Sequence, residues 1–433
     1  MAGNKIKTIN RVRTTSKRLS IGSLKVARKV SNTTIQDREG SMPIDLLRSN
    51  TRSLMLALAL QALDIVRMPF KARYLDIQTI AISQAPVRAD TGGWSDCWWF
   101  LEKYPGFVCN LALSLYSYVV AVVLKGKGDV PIYHALDIGD SGALSDLERG
   151  FIHEAADNFP KAFDGRETHI IVNSFAPPKA GLGSSGSVGV AIVALLNLLS
   201  GGQMSREEIA LMAHKIEHFK LGRESGIQDQ VAAAFGSSCI EMLEGQFPKF
   251  LRSSVDMPPG MVAMIEKLMI LVNTGEGRSS SEEHERKIAT IRSGGPGADA
   301  MLQEIIAMRE AARRAAECLR RGDWPGFCEA VGDNWKHQVA LDSSAVTDRI
   351  ERITDLARRH SAMVKVWGAA GGGVMGILCP DGLTQRSSIV RALNGNYLPE
   401  MPGAEVITTS LAPRGVEVCT FTQEEIKQLL AAA

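Results

Sequence analysis

The chain has 433 residues and a net charge of +2, with 45% hydrophobic and 22% charged residues. This is enough chain for one large or two fused domains, and the composition is that of a globular protein. No apolar run reaches the ~18 residues that a membrane helix needs, so we expect no membrane partner. The seven cysteines are widely spaced without a CxxC pair, which argues against a zinc cluster or a disulfide framework and favours a cytoplasmic location.

Residues 1–36 contain nine Lys/Arg, nine Ser/Thr and no acidic residue. This composition is typical of an organellar transit peptide; a disordered arm is an alternative, as is a true start at Met42, Met55 or Met68. The rest of the chain has 40 basic and 47 acidic residues, interleaved in a way that argues against nucleic-acid binding. We therefore expect residues 1–75 to be an N-terminal extension, with helical character over 44–67.

From about residue 76 strands and helices alternate, which predicts an α+β fold with two lobes, 76–260 and 261–433. In the first lobe, strands are predicted over 77–85 (ending at Pro86), 169–175 and 238–243, with one long strand or a strand pair over 107–123. Helices are predicted over 188–199 and 205–219, the second opened by a capping box of Ser205 and Glu208. In the second lobe, the predicted strands are 268–273, 363–367, 374–379, 406–410 and 416–421, and the predicted helices are 298–321, 324–339, 344–360, 384–393 and 424–430.

A glycine- and serine-rich segment, PPKAGLGSSGS at 177–187, lies between a predicted strand and a predicted helix. Glycines let the backbone approach an anion closely, and the first turn of the helix offers free N–H groups. Ser184 and Ser185 add hydroxyls suited to phosphate or Mg²⁺. The segment is not a Walker A loop, because GxxxxGK[ST] occurs nowhere in the chain; a flexible turn is the alternative.

This segment resembles the second motif of the GHMP kinases, the family of galactokinase, homoserine kinase and mevalonate kinase. In that family the loop wraps the ATP phosphates, and Gly186 stands where an alanine is usual, a small exchange. The resemblance implies that the loop residues bind ATP: Pro178, Lys179, Gly181, Leu182, Gly183, Ser184, Ser185, Gly186 and Ser187.

Two further segments resemble the other family motifs. APVRADTGGWSD at 85–96 resembles the first motif as fucokinases and heptose 7-phosphate kinases have it, with one residue fewer between Arg88 and Asp96. VWGAAGGGV at 366–374 resembles the third motif. Carboxylates beside glycines suit the hydroxyls of a sugar, although a turn aspartate and a tight strand connection would explain the same residues. The resemblance implies substrate contacts at Gly92, Gly93, Asp96, Gly371, Gly372 and Gly373.

In galactokinase-like members a metal-binding glutamate precedes a catalytic aspartate in a GxxDQ segment. The resemblance therefore implies that Glu217 and Ser185 bind Mg²⁺, that Asp229 is the base and that Arg88 supports it. Phosphoryl transfer needs a proton acceptor and neutralisation of the developing charge. Taken alone, Glu217 also suits a solvated helix face, and Asp229 suits a helix N-cap.

The segments 228–236 (QDQVAAAFG) and 273–281 (NTGEGRSSS) resemble heptose 7-phosphate kinases. They imply Gln228 and Arg278 as substrate contacts. Arg278 with three serines would suit an anion, and a surface loop before a helix is the alternative.

The resemblance covers roughly residues 77–425. It implies the GHMP kinase fold, with an N-terminal lobe like domain 2 of a ribosomal small-subunit protein and a ferredoxin-like C-terminal lobe. It also implies ATP and Mg²⁺, in a monomer or homodimer that phosphorylates a sugar or sugar phosphate. The favoured acceptor is the anomeric hydroxyl of D-glycero-D-manno-heptose 7-phosphate, followed by L-fucose or another monosaccharide. The alternatives are a non-catalytic sensor of ATP and sugar, and a kinase for homoserine or mevalonate, against which the GGWSD motif argues.

Overall fold

The computed structural model describes residues 77–127, 132–135, 146–277, 280–422 and 424–427. The predicted extension over 1–75, the helix over 44–67 and Arg278 lie outside the described residues. Across the described ranges, no helix combines the length and the apolar character needed to cross a membrane.

The first sheet contains seven strands: β1 (Ile77–Thr91), β2 (Gly106–Lys127), β3 (Ile132–Ala135), β4 (Arg166–Ser174), β5 (Ser238–Met242), β6 (Leu251–Ser254) and β11 (Glu417–Phe421). Their order is β11-β1-β2-β4-β3, with β5 paired to β2 and β6 to β5. β2 is one strand of 22 residues and not a strand pair. Its first part pairs with β5 and its later part with β4, so that it spans the sheet.

The prediction that the first strand ends at Pro86 is wrong, because β1 continues to Thr91. β11 pairs with β1 only over Ile80–Gln84, and the register with β2 shifts between Pro86 and Val87. Proline has no N–H to donate, so it fits such an irregular position, where one side of the strand is not paired. The added residues carry Arg88 and Asp90 into the protein interior.

The first sheet is covered by α2 (Asp146–Asn158), α3 (Ser184–Leu199), α4 (Arg206–Lys215) and α5 (Gln228–Phe235), while α1 (Trp98–Leu101) follows β1. α3 packs on β1 and β2 and contacts the other three covering helices. It is apolar all round, as expected for a buried helix. The predicted capping box of Ser205 and Glu208 is confirmed at the start of α4.

The second sheet has the antiparallel order β10-β7-β9-β8. The second half of the chain contains α6 (Pro259–Leu268), β7 (Met269–Asn273), α7 (Ser280–Ser293), α8 (Pro296–Arg321), α9 (Trp324–Leu341), α10 (Asp348–Arg359), β8 (Met363–Val366), β9 (Val374–Leu378), α11 (Leu383–Ala392) and β10 (Glu405–Ile407). Residues 424–427 are helical, and the rest of the final predicted helix lies outside the described residues.

The helix predicted over 344–360 is interrupted. A short 3-10 turn at Ser343–Ala345 precedes α10, and Thr347 caps α10 by accepting a hydrogen bond from the Ile350 N–H. A threonine at this position offers the backbone a partner outside the helix, which favours a helix start over a helix interior.

One large hydrophobic cluster contains residues from both halves of the chain. Val87 and Leu111 of the first sheet pack with Trp324, Val366 and Trp367 of the second half. The end of β1 therefore lies where the two halves meet, and the α+β architecture places the polar residues of that strand at this junction.

Candidate functional site

Arg88 and Asp90 lie on the same side of β1, because alternate residues of a strand face the same way. Both are buried, and Arg88 Nη1 donates to Asp90 Oδ1 over 2.8 Å. Arg88 also reaches Asp229 Oδ1 with Nε at 2.8 Å and with Nη2 at 2.7 Å. Burial disfavours the charge on Arg88, but Asp229 and Asp90 outweigh this, so that the pKa of Arg88 is raised.

The predicted phosphate loop wraps tightly around this arginine. The Arg88 N–H donates to the Leu182 carbonyl over 2.9 Å, and Arg88 Nη1 donates to the Gly181 carbonyl over 2.8 Å. Gly181 and Gly183 both have a φ of +72°, a conformation that glycine adopts without a steric penalty. α3 then begins at Ser184, whose hydroxyl has no hydrogen-bond partner among the described residues.

Asp229 is the second residue of α5, so it lies in the first turn and is not the N-cap. Its carboxylate is near the helix N-terminus, where a negative charge is favourable. Gly183 and Gly186 lie directly against it: a Cβ added at Gly183 would be 2.9 Å from Asp229 Cγ, and one at Gly186 would be 2.6 Å from Asp229 Cβ. The loop and the predicted base are therefore in contact.

Glu217 is buried in a π-helical turn, Ile216–Lys220, which follows α4. Its carboxylate accepts hydrogen bonds from Ser185 Oγ over 2.9 Å and from Gln230 Nε2 over 2.5 Å. Burial, and then the charge of Asp229, raise the pKa of Glu217 to about 7. A buried carboxylate that is costly to ionise without a cation, beside a hydroxyl, fits a divalent-ion site.

The number of protein ligands also fits magnesium. Mg²⁺ commonly uses only one or two carboxylates together with substrate phosphates. Glu217 and Ser185 at the edge of the phosphate loop match that pattern.

Asp96 lies beside the start of α5, the helix that carries Asp229. It is buried and accepts a hydrogen bond from the Gln228 N–H over 3.0 Å. Burial raises the pKa of Asp96 to about 6. Gly226 makes room for this carboxylate, since any side chain there would collide with it. The Gln228 side chain reaches towards Gly93, and its Oε1 is buried without a partner among the described residues.

The third glycine loop packs against the phosphate loop. Gly368 N–H donates to Asp90 Oδ1 over 2.8 Å, and Val374 N–H donates to the Ala180 carbonyl over 2.8 Å. Gly373 has a φ of +86° and donates to the Glu276 carbonyl. Of the predicted substrate glycines, Gly373 adjoins the loop at 179–181, and a side chain at 373 would displace that loop. Gly371 instead donates to the Ala345 carbonyl, and Gly372 lies against Glu276.

The tryptophans of the first motif differ in their surroundings. Trp94 and Trp99 are buried and pack together with a ring separation of 6.4 Å. Trp98 is only half-buried; its Nε1 donates to Glu224 Oε2 over 2.6 Å, and Arg292 covers its ring. Trp94 also has a φ of +75°, an uncommon conformation for a bulky residue.

Sequence reasoning did not assign roles to Asp90, Gln230 and Lys365, which the structure adds to this cluster. Lys365 is fully buried and donates to Gln338 Oε1 over 2.6 Å. The sequence did contain one signal for Lys365. It is a lysine within the otherwise apolar strand Met363–Val366, and lysine is rarely fully buried unless it is paired. The contact between Gln230 and Glu217 had no sequence signal beyond the GxxDQ pattern.

Comparison with known proteins shows which proteins this chain is similar to. Residues 150–237 match the family described as GHMP kinases N terminal domain. D-glycero-alpha-D-manno-heptose 7-phosphate kinase of Campylobacter jejuni is 25% identical over 324 residues, which are 72% of this chain and 92% of the relative. The bifunctional fucokinase/GDP-fucose pyrophosphorylase of Arabidopsis thaliana is 23% identical over 69% of this chain, which spans about 30% of that longer protein. Mevalonate kinase of Pyrococcus furiosus is 28% identical over 61% of this chain and 75% of the relative.

The fold is likewise shared. The crystal structure of a D-glycero-D-manno-heptose 1-phosphate kinase from Bacteroides thetaiotaomicron aligns with a TM-score of 0.60 and 21% identity, covering 79% of this chain and all of that one. At this identity the likeness concerns the fold, and it confirms the predicted α+β architecture. Residues 150–237 therefore match a GHMP kinases N-terminal domain, and the chain as a whole is similar in sequence to named kinases and shares their fold.

Proposed function

We propose that this protein transfers the γ-phosphoryl group of ATP to a hydroxyl of a sugar or sugar phosphate. The observation that carries the proposal is the position of Asp229. It touches the phosphate loop at Gly183 and Gly186 and is held by Arg88. It also lies near Asp96, whose charge acts on the same part of the site. A proton acceptor between a phosphate cradle and a polar acceptor pocket suits phosphoryl transfer to an alcohol.

In this proposal Asp229 accepts the proton of the attacking hydroxyl, and its side chain is 26% exposed and so within reach of a substrate. Arg88 fixes its orientation and neutralises charge that develops on the transferring group. The N–H groups at the start of α3 and the hydroxyls of Ser184 and Ser185 would hold the phosphates. Glu217 and Ser185 would hold Mg²⁺, which neutralises phosphate charge when bound.

Asp96 and Gln228 would orient the sugar. A carboxylate and an amide oxygen accept hydrogen bonds from hydroxyls, and the unpartnered Oε1 of Gln228 is available for one. Gly93 lies against Asp90 and the Gln228 amide, whereas Gly92, the other predicted substrate glycine, packs against the Phe107 backbone and Ala312. Asp96, Gln228 and Gly93 form the part of the site that we propose binds the sugar. Separately, we propose that the boundary between the two lobes lies near residue 260.

We favour the anomeric hydroxyl of a heptose 7-phosphate as the acceptor. Two similar proteins are named as heptose phosphate kinases, and their similarity supports this substrate class. L-fucose is the next candidate, because of the fucokinase resemblance and the GGWSD motif. A sensor that binds ATP and sugar without turnover, and a mevalonate kinase, are alternatives that the same experiment separates.

The test measures ADP release with Mg·ATP against heptose 7-phosphate, L-fucose, galactose, arabinose, glucuronate, homoserine and mevalonate. Asp229→Asn is compared with the wild type, with Asp157→Asn, an exposed carboxylate on α2, as the matched control. Turnover on one sugar that falls by about 10²–10⁴ in Asp229→Asn alone supports the proposal. ATP binding without turnover on any compound supports the sensor, and turnover on mevalonate or homoserine alone overturns the sugar assignment.

A further inference from the structure

Lys365 is a fully buried lysine on the edge strand β8, at the junction of the two halves. Burying an ammonium group is costly unless it is paired and hydrogen-bonded. Its Nζ donates to Gln338 Oε1 over 2.6 Å and lies 5.8 Å from the centre of the Trp367 ring. Burial lowers the pKa of Lys365 to about 8, so that the ammonium form still predominates at neutral pH; Asp90 of β1 opposes this shift and Arg88 of β1 adds to it. Lys365 therefore belongs electrostatically to the candidate active site.

Arg88, Asp90 and Asp229 do not balance in charge without Lys365. Arg88 donates hydrogen bonds to two carboxylates, Asp90 and Asp229. Arg88, Asp90 and Asp229 together carry a net charge of −1, and Lys365 supplies a second positive charge. Burial raises the pKa of Asp90, but Arg88 and then Lys365 oppose this, so that the pKa of Asp90 is lowered overall.

A hydrogen-bond chain joins Lys365 to the same carboxylate. Gln338, whose Oε1 accepts from Lys365, donates through Nε2 to the Gly368 carbonyl over 2.7 Å. The Gly368 N–H then donates to Asp90 Oδ1 over 2.8 Å. Asp90 is thus fixed by Arg88 on its own strand and by the third glycine loop, and that loop is fixed by Gln338 and Lys365.

We propose that Lys365 is a positioning residue for phosphoryl transfer: acting through Asp90 and Gln338, its buried ammonium keeps Arg88 on Asp229. This inference rests on the proposed function. Without the positive charge of Lys365, Asp90 attracts Arg88 more strongly, and the hydrogen bonds from Arg88 to Asp229 weaken. The loss falls on the chemical step, because Lys365 contacts Gln338 and Trp367 and neither the phosphate loop nor Asp96.

The test compares Lys365→Met with the double variant Asp90→Asn/Lys365→Met, using the sugar on which the wild type is active. We expect kcat to fall at least ~10-fold in Lys365→Met, with KM for ATP and sugar changed less than ~3-fold, since an interaction felt mainly in the transition state is lost. Removing the Asp90 charge as well restores neutrality, so the double variant should recover several-fold in kcat. A role in packing alone would not produce that recovery.

Lys336→Met, an exposed lysine on the same helix as Gln338, is the matched control and should keep the wild-type kcat. Thermal unfolding confirms that each variant is folded. If Lys365→Met does not fold, Gln338→Leu breaks the same chain and should lower kcat in a folded protein. A wild-type kcat in folded Lys365→Met or Gln338→Leu overturns the inference, as does a loss that Asp90→Asn fails to relieve.

A different result would refute the proposed function itself. A wild type inactive on every sugar removes the reaction that Lys365 would support and refutes both ideas together. Activity in the wild type with no effect at Lys365 refutes only the inference about Lys365.

Discussion

Arg88 holds Asp229 through a single carboxylate oxygen. Nε and Nη2 of the guanidinium both lie within 2.8 Å of Oδ1, and Oδ2 accepts no hydrogen bond from the described residues. This arrangement fixes the carboxylate while leaving one oxygen for an incoming hydroxyl. It also spans 141 residues of sequence, so it depends on how β1 and α5 pack around the start of α3.

This geometry predicts the effect of Arg88→Lys. Lysine keeps the charge but offers no planar fork, so it cannot hold Oδ1 with two nitrogens and also reach Asp90 and the Gly181 carbonyl. We expect kcat to fall by about 10²-fold or more with a smaller change in KM. Steady-state kinetics with the identified sugar measure it, and Arg149→Lys on α2 serves as the control. Near wild-type turnover in Arg88→Lys would show that the paired geometry is dispensable.

Gly186 predicts a second effect, because the family usually has alanine at this position. In this chain a Cβ at 186 would lie 2.6 Å from Asp229 Cβ, so Gly186→Ala should push α5 away and misplace the base. We expect kcat to drop at least ~10-fold, since misplacement by about 1 Å can cost 10²-fold. Gly297→Ala on α8, where a Cβ meets open space, should leave kcat unchanged. Equal kcat values in the two variants would contradict this prediction, because they would show that the added methyl group at 186 does not misplace Asp229.

The buried Asp96 predicts a pH-dependent gain in stability for Asp96→Asn. Its folded-state pKa is raised from 3.8 to about 6, so between these values the folded state binds more protons than the unfolded state. The contribution of Asp96 to the free energy of unfolding therefore falls as the pH rises through this window, and the cost persists above it. A shift of this size corresponds to roughly 3 kcal/mol.

Urea unfolding at pH 4 and at pH 7.5 measures this difference. The asparagine variant should be more stable than the wild type at pH 7.5 and similar at pH 4, while sugar binding weakens. Asp256→Asn, an exposed carboxylate, should show no such difference between the two pH values. A loss of stability in Asp96→Asn at pH 7.5 would contradict the account.

Glu217→Gln should change the magnesium dependence. Without a cation the ionised Glu217 is disfavoured, because its pKa is raised from 4.5 to about 7, and its contribution to stability falls as the pH rises through that window. A bound Mg²⁺ would offset this cost by stabilising the ionised carboxylate. Glutamine carries no charge, so the variant would lose this contribution to Mg²⁺ binding. We expect half-maximal activity to need ~10- to 100-fold more Mg²⁺, and the gain in melting temperature on adding Mg·ADP to shrink.

Ser185→Ala, which removes the neighbouring hydroxyl, should have a smaller effect in the same direction. If Glu217→Gln leaves both the Mg²⁺ requirement and the melting shift unchanged, the ion is bound elsewhere.

The sequence determined the features that depend on neighbouring residues. The glycine loop at 181–186 and the capping box at Ser205 follow from local backbone needs, namely positive φ, free N–H groups and a side-chain cap. The residue types and order of the three motifs then indicated the family, and with it the expected roles of Arg88, Glu217 and Asp229.

The tertiary structure decided which charges share one buried space. Asp90 meets Gly368 across 278 residues, and Lys365 comes close to that group only because the loop after β8 packs on the end of β1. The tertiary structure also decided that β1 continues past Pro86. The proline is tolerated within the strand because β11 pairs with β1 only over Ile80–Gln84, and that pairing is a property of the assembled sheet. Sequence patterns encode which backbone conformation a segment adopts, whereas the balance of buried charge depends on side chains from distant segments that only packing brings together.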